Sequence, residues 1–448
     1  MDARSSSLHV VRASRGRLRR GDLPPRIAVP PPGPAARRLI RNLARYEAPL
    51  VNTVVGGNAY PPWAEARGAN VLDVDGNRYI DLSAGFGAAV LGHRHAAIVA
   101  AVEGQTHRLI HGLGDVAAHP GRVELARRLS RFAPVSHRAD DPRQVYFAVS
   151  GADAVEVAIK TAILHHHRPA IVAFDPAYHG STLGALAATS RPAFRAPFAA
   201  QLNPHVARLP YACDPAQLDD LLAARHDIAA VLLEPIAGRE GVLVPSPGWL
   251  AAVARVCHAS DVLLIADEVL TGFGRTGKLF AVQHEGVEPD LLCCGKALGG
   301  GLPIAAVIAR KSLFRDWDRG GEALHTGTFL AHPVAVAAAL AVLDVLLADA
   351  LPRRTARLGR NLSRRFGGWR HSLPILTDVR GRGLLWGLEL RDREAAQRAV
   401  SALLARGILL VAGGSDGRTL ELTPPLTISE RQLDTACGVL ESVLRGLP

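Results

Sequence analysis

The chain has 448 residues, 48% hydrophobic and 21% charged, a composition that excludes fibrous and low-complexity proteins and leaves room for more than one lobe around its own core. Its net charge of +11 comes from 52 basic against 41 acidic residues. Apart from a cluster at Arg12, Arg15, Arg17, Arg19 and Arg20 the basic residues are scattered, which argues against a nucleic-acid partner.

Residues 1–35 read as a basic, solvated tail closed by Pro30, Pro31 and Pro32. They contain no continuous apolar stretch of the kind that makes a secretory signal. Residues 36–70 are expected to form a helix and then an irregular segment through Tyr60, Pro61, Pro62 and Trp63 that joins the smaller domain. Residues 71–81 alternate apolar and polar about Asp75, Gly76 and Asn77, the pattern of a hairpin. Phe86, between Gly85 and Gly87, fits a core position beside two permissive glycines as well as it fits a pocket.

From Val145 onward, short apolar runs alternate with helical spacings, as a doubly wound α/β sheet requires. The expected strands are 145–149, 170–174, 229–233, 262–266, 291–294 and 304–309, within a large domain spanning 71–332. After the first comes Ser150-Gly151-Ala152-Asp153, a serine with an acid three residues on, followed by Val155, Ala158, Ile159, Ala162 and Ile163 at helical spacing. Such a capped helix start presents free N–H groups and a positive dipole end, which suit a phosphate. A plain strand-to-helix turn would read the same way. The next strand ends at Tyr178-His179-Gly180, where an aromatic ring either stacks on a flat ligand or packs half-buried.

Two neighbouring strands carry the strongest pattern. Residues 262–266 end in Asp267-Glu268, and 291–294 lead into Gly295-Lys296 and the triple glycine 299–301. Open α/β sheets place their ligand crevice at the carboxyl ends of strands. A lysine held there in partly apolar surroundings loses its proton readily and acts as a nucleophile. An acid on the adjoining strand suits a protonated ring nitrogen. Residues 334–351 are apolar but interrupted by Asp344 and Asp349, which marks a core helix and not a membrane span. The remainder, 333–448, is expected to be a smaller α+β domain with strands at 383–390 and 419–422 and helices near 393–405 and 429–445. Cys213, Cys257, Cys293, Cys294 and Cys437 show no zinc spacing and read as reduced packing residues of a cytoplasmic protein.

The strings DEVLTGFGRTG, beginning at Asp267, and GKALGGGLP, beginning at Gly295, resemble the signature of the class III pyridoxal-phosphate-dependent aminotransferases, the omega-amino-acid, ornithine and diamine type within fold type I. The resemblance implies an α/β fold with a mixed, seven-stranded-type sheet in the large domain, and pyridoxal 5'-phosphate as cofactor. It implies that Lys296 bonds covalently to the cofactor aldehyde, that Asp267 pairs with the pyridine nitrogen and that Val269 packs on one ring face. SGADA is similar to the family's phosphate segment and assigns Gly151 and Ala152 to that group. Tyr178 and His179 fall in the family's YHG segment, which places Tyr178 on the other ring face and His179 in the cofactor site. Glu234 is the glutamate of the EP pair, which helps to hold the cofactor region. His325 to Phe329 is similar to HGSTF, in which the threonine reaches the phosphate of the neighbouring subunit; this assigns Thr328 and implies a homodimer with shared active sites. Phe86 becomes a substrate-pocket residue by the same likeness.

The activity implied is ping-pong transfer of an amino group from a small-molecule amine donor to a keto acid such as 2-oxoglutarate or pyruvate, with an aminomutase or racemase on the same scaffold as the alternative. Two departures bear on the donor. Glu421 stands where ornithine-type members carry an arginine for the substrate α-carboxylate, and Arg239 stands where they carry the glutamate that neutralises it. The donor is therefore expected to be a terminal amine. Arg239 and Glu421 are expected to form an ion pair that opens when Arg239 takes a keto-acid carboxylate. A third departure is Leu270, where many members have a glutamine that touches the cofactor.

Overall fold

The computed structural model describes residues 18–48, 60–318 and 320–447. Its centre is a seven-stranded sheet in the spatial order Arg143–Ala148, Ala305–Arg310, Leu291–Cys294, Leu263–Asp267, Ile228–Leu233, Ala170–Asp175 and Val206–Pro210. Ala305–Arg310 runs antiparallel to both its neighbours, and the other adjacent pairs are parallel, so the sheet is mixed as expected. Every residue of Ile228–Leu233, Leu263–Asp267 and Leu291–Cys294 is buried. These strands are apolar on both sides because helices cover both faces. Val172 and Phe174 point into the cluster that holds Trp249 and Leu250, while Ile171 and Ala173 point to Val155 and Ile159 on the other side, the two-residue alternation of a strand.

The strand directions bring the residues after Ala148, Asp175, Leu233, Asp267 and Cys294 to one edge of the sheet. That edge collects Ser150, Tyr178, Glu234, Asp267 and Lys296, which lie up to 146 positions apart in sequence (296 − 150).

Two four-stranded sheets complete the fold. One contains Trp63–Arg67, Asn70–Asp73 and Arg78–Asp81, and adds Ile408–Leu409 in parallel to the last. The expected hairpin is present, but it belongs to a sheet finished by the C-terminal region, so the boundary drawn at residue 71 cuts through a sheet. The other has the order Leu376–Arg382, Leu385–Leu390, Thr419–Leu422 and Val411–Gly413. Its first strand, like Val206–Pro210 in the central sheet, is absent from the sequence reading.

The expected tail also needs correction. Residues 18–35 are ordered against the 63–81 sheet, with Leu18 only 4% exposed and alternate residues partly buried. The buried amides of Asn70 and Asn77 need partners and take them from this segment: Asn70 Oδ1 accepts the Leu23 N–H at 2.8 Å, and Asn77 Oδ1 accepts those of Ala28 and Val29 at 2.8 and 2.9 Å. Arg12, Arg15 and Arg17 lie outside the described residues. Helix Pro333–Ala348 is buried along most of its length, and among the described residues no single helix is long and apolar enough to cross a membrane.

Candidate active site

Lys296 opens a short 3-10 turn, Lys296–Gly299, directly after the buried strand Leu291–Cys294. Its φ of +28° lies in the left-handed region that side chains other than glycine's avoid, which is where ligand-holding residues recur. Burial holds its amine below the usual lysine range; Asp267, Glu234 and Glu421 pull it up, and Arg239 pushes it down.

Asp267 ends the adjoining strand, 5% exposed. Its Oδ2 lies 2.8 Å from His179 Nδ1, and its Oδ1 accepts the Val269 N–H at 3.1 Å. An ionised carboxylate only accepts, so Nδ1 carries the proton and donates, and Nε2 is left buried without a partner. The structure thus gives His179 a distinct place: it aims Asp267.

Glycines decide how closely the surrounding segments approach. A Cβ on Gly151 would lie 2.7 Å from Val269 Cγ1, and one on Gly180 would lie 2.5 Å from Ala152 Cβ. The helix start, the Tyr178 loop and Val269 therefore meet only because those positions lack side chains. Ser150 Oγ accepts the Asp153 N–H at 3.2 Å, and Asp153 Oδ2 accepts that of Val149 at 2.9 Å. The Gly151 and Ala152 N–H groups, at the first turn of helix Gly151–His166, have no intrahelical acceptor and remain for an anion. Glu234 ties the frame together: Oε1 accepts the Tyr178 N–H at 2.9 Å and Oε2 the Gly238 N–H at 3.1 Å, while burial pushes its carboxyl up to about 7. Leu270 fills a slot between Gly87 and Gly238, where added Cβ atoms would stand 3.1 and 2.1 Å from its methyl groups.

The remaining expected residues fall at the rim. Phe86 is 54% exposed in a turn whose residues 84–87 all have positive φ, which removes the core reading. Thr328 is exposed on a segment packed over Gly114, three residues after His325, which bonds Asp153 at 2.8 Å.

The expected Arg239–Glu421 ion pair is not formed. The Arg239 guanidinium lies over the Tyr178 ring, 4.1 Å from its centroid, and 5.6 Å from that of Phe194. Arg191 and Glu240 pair instead at 2.7 Å, and Arg191 donates further to the carbonyls of Arg239 and Gly414 at 3.0 and 3.2 Å. Glu421 is left with Oε1 shielded from solvent and without a hydrogen-bond partner. Burial pushes its carboxyl up to about 8 against the pull of Arg191. Sequence reasoning missed Arg191 and Glu240 because 49 positions separate them and nothing local marks the pair.

A buried amine, a carboxylate aimed from the next strand, an aromatic side chain and a glycine-floored helix start match, group for group, the aldehyde, ring nitrogen, flat ring and phosphate of pyridoxal phosphate. Fold and site together define a fold type I enzyme of that cofactor. The sequence profile of the class III aminotransferases matches residues 55–444. Acetylornithine aminotransferase of Mycobacterium tuberculosis is 42% identical over 403 residues, 89% of this chain and 95% of that protein. Putrescine aminotransferase of Pectobacterium atrosepticum is 36% identical over 393 residues, covering 86% and 82%. A solved amine transaminase from an uncultivated Pseudomonas species, in its PLP-bound form, superimposes with a TM-score of 0.81 at 27% identity, covering 90% of this chain and 99% of that one. The chain belongs to the class III aminotransferases. It is an aminotransferase whose cofactor is pyridoxal 5'-phosphate, with an amine donor and a keto acid as substrates.

Proposed function

We propose that the enzyme moves an amino group from a terminal amine, an omega-amino acid or a diamine, to 2-oxoglutarate or pyruvate by a ping-pong mechanism. The observation that carries this reading is Glu421, a carboxylate at the position where an arginine would hold a donor's α-carboxylate. The acetylornithine and putrescine aminotransferases among its relatives support it. When bound, the cofactor supplies the carbonyl carbon that the donor nitrogen joins and the ring that takes up the electron pair left on the donor carbon.

The chain's residues do the rest. Lys296 Nζ, whose proton burial loosens, takes the proton from the donor's reacting carbon and returns it. Asp267, aimed by His179, sets a negative charge opposite the ring nitrogen. Val269 and Tyr178 flank the ring, Gly151 and Ala152 direct N–H groups at the phosphate, and Glu234 fixes the two loops that carry Tyr178 and Gly238. Arg239, already against Tyr178, takes the keto-acid carboxylate, and Phe86 borders the substrate. The active unit is a homodimer in which Thr328 serves the neighbouring subunit's phosphate. Exposed Ile110, Leu113, Val116 and Phe329, on two segments that meet at His111–Phe329 and Gly114–Thr328, support an interface there. The five free cysteines fit a cytoplasmic location.

Nothing in the site or in the relatives named above favours a mutase or a racemase. A screen of terminal amines against the two keto acids tests the reading: keto acid is consumed in proportion to donor. Isomerisation of an amino acid with no keto acid consumed would overturn it.

A further inference from the structure

We propose that Glu421 is the anchor for the second, unreacting ammonium group of a linear α,ω-diamine, which makes diamines and not omega-amino acids the preferred donors. The proposal rests on the aminotransferase reading and narrows it.

Glu421 sits mid-strand in Thr419–Leu422, in register with Gly387 on one side and Val411 on the other. Its carboxylate lies over Gly413, where an added Cβ would stand 2.0 Å from Oε1 and 2.4 Å from Cδ. A side chain at 413 would displace the carboxylate from that place. Oε1 is closed to solvent and has no hydrogen-bond partner. A carboxylate oxygen shielded from water without a partner is costly when ionised, so such a group calls for a cation.

The chain's own cations nearby, Arg191 and Arg239, act on Glu421 without bonding it. Arg191 is fixed by Glu240 and by the carbonyls of Arg239 and Gly414, and Arg239 covers Tyr178. Ser415 Oγ donates to Glu240 Oε2 at 2.7 Å and Arg191 Nε to Oε1 at 2.7 Å, so both oxygens of that carboxylate are engaged. Glu421 is tied to the site by geometry: it lies against Gly413, the next residue Gly414 donates its N–H to the Arg239 carbonyl at 3.2 Å, and Arg239 stacks on Tyr178; its charge also acts on Lys296. The candidate site therefore sets the buried Lys296 amine and a carboxylate oxygen without a hydrogen-bond partner within reach of each other's charge. A primary amine that reacts at Lys296 and carries a second ammonium along its chain satisfies both. A carboxylate in that second place would face Glu421 and be repelled.

The test compares kcat/KM of the holoenzyme for four- to six-carbon α,ω-diamines, for monoamines of equal length and for omega-amino acids of equal length. The expected order puts diamines first, about tenfold or more above monoamines, the size of a charge-assisted hydrogen bond. In Glu421→Gln the diamine-to-monoamine ratio falls towards one. Glu421→Asp, with its charge one methylene back, shifts the preferred diamine one carbon longer and serves also if the glutamine variant fails to fold. Calorimetry with a diamine dimethylated at one end, so that this end cannot react, should show binding about tenfold weaker in Glu421→Gln. A wild-type ratio near one, omega-amino acids ahead of diamines, or a ratio and calorimetric affinity unchanged by Glu421→Gln would each overturn the proposal. Failure of the aminotransferase reading looks different: no amine of any kind consumes keto acid, while the calorimetric comparison still decides the role of Glu421.

Discussion

At the scale of the residue, the chemistry depends on keeping charged groups unusually placed. Lys296 is held towards its neutral form by burial although three carboxylates, those of Asp267, Glu234 and Glu421, act on it. Lys296→Ala should abolish the visible absorbance of covalently held cofactor and lower turnover by about 10²–10⁴-fold, the worth of a positioned acid-base group. His179 works through Asp267. His179→Phe leaves Oδ2 buried without a donor, at a cost of about 1–3 kcal/mol in stability. The same variant should retain cofactor less tightly, which equilibrium dialysis against the cofactor measures. Glu421 adds a pH dependence whose sign is fixed. Its carboxyl is raised to about 8 in the folded protein, so its stabilising contribution is complete below the ordinary carboxylate range and is lost as pH rises to about 8. Melting temperatures of wild type and Glu421→Gln should therefore diverge in favour of the variant between about pH 4.5 and 8, and run parallel above that.

At the scale of the element, the site is five strand ends and the turns that follow them, pressed together where glycines replace side chains. Leu270 between Gly87 and Gly238 shows the tolerance. Gly238→Ala would drive a methyl into Leu270 Cδ2 and should destabilise by about 1–3 kcal/mol in denaturant titration. Leu270→Ala in the same chain should recover part of that loss, because the two residues share one volume. The helix start at Ser150 is of the same kind. Its cap was legible in the sequence because Ser150 and Asp153 sit on one turn, and the structure closes the bonds that the spacing implies. The strand Val206–Pro210 was not legible: its residues are only half-buried at the sheet edge, so no apolar run or clean alternation marks them.

At the scale of the whole molecule, the exposed apolar residues of 110–116 and Phe329 carry the dimer proposed above. On that proposal Phe329→Asp should give a monomer in sedimentation velocity where the wild type gives a dimer, and reduce activity with it, since Thr328 would not reach a neighbouring site. Unchanged sedimentation would remove this surface from the interface. The sequence by itself determined the buried strands that Asp267 ends and Lys296 follows, and the helix start at Ser150, because each is written in residues close in the chain and constrained by local backbone chemistry. Only the tertiary structure decided that residues 18–35 are ordered against the 63–81 sheet, that Ile408–Leu409 completes the sheet of the 70–81 hairpin, and that Arg191 takes Glu240 and leaves Glu421 unpaired. The reason is physical. Which charges meet and which strands pair depends on distances between segments far apart in sequence, and those distances exist only after the core has closed.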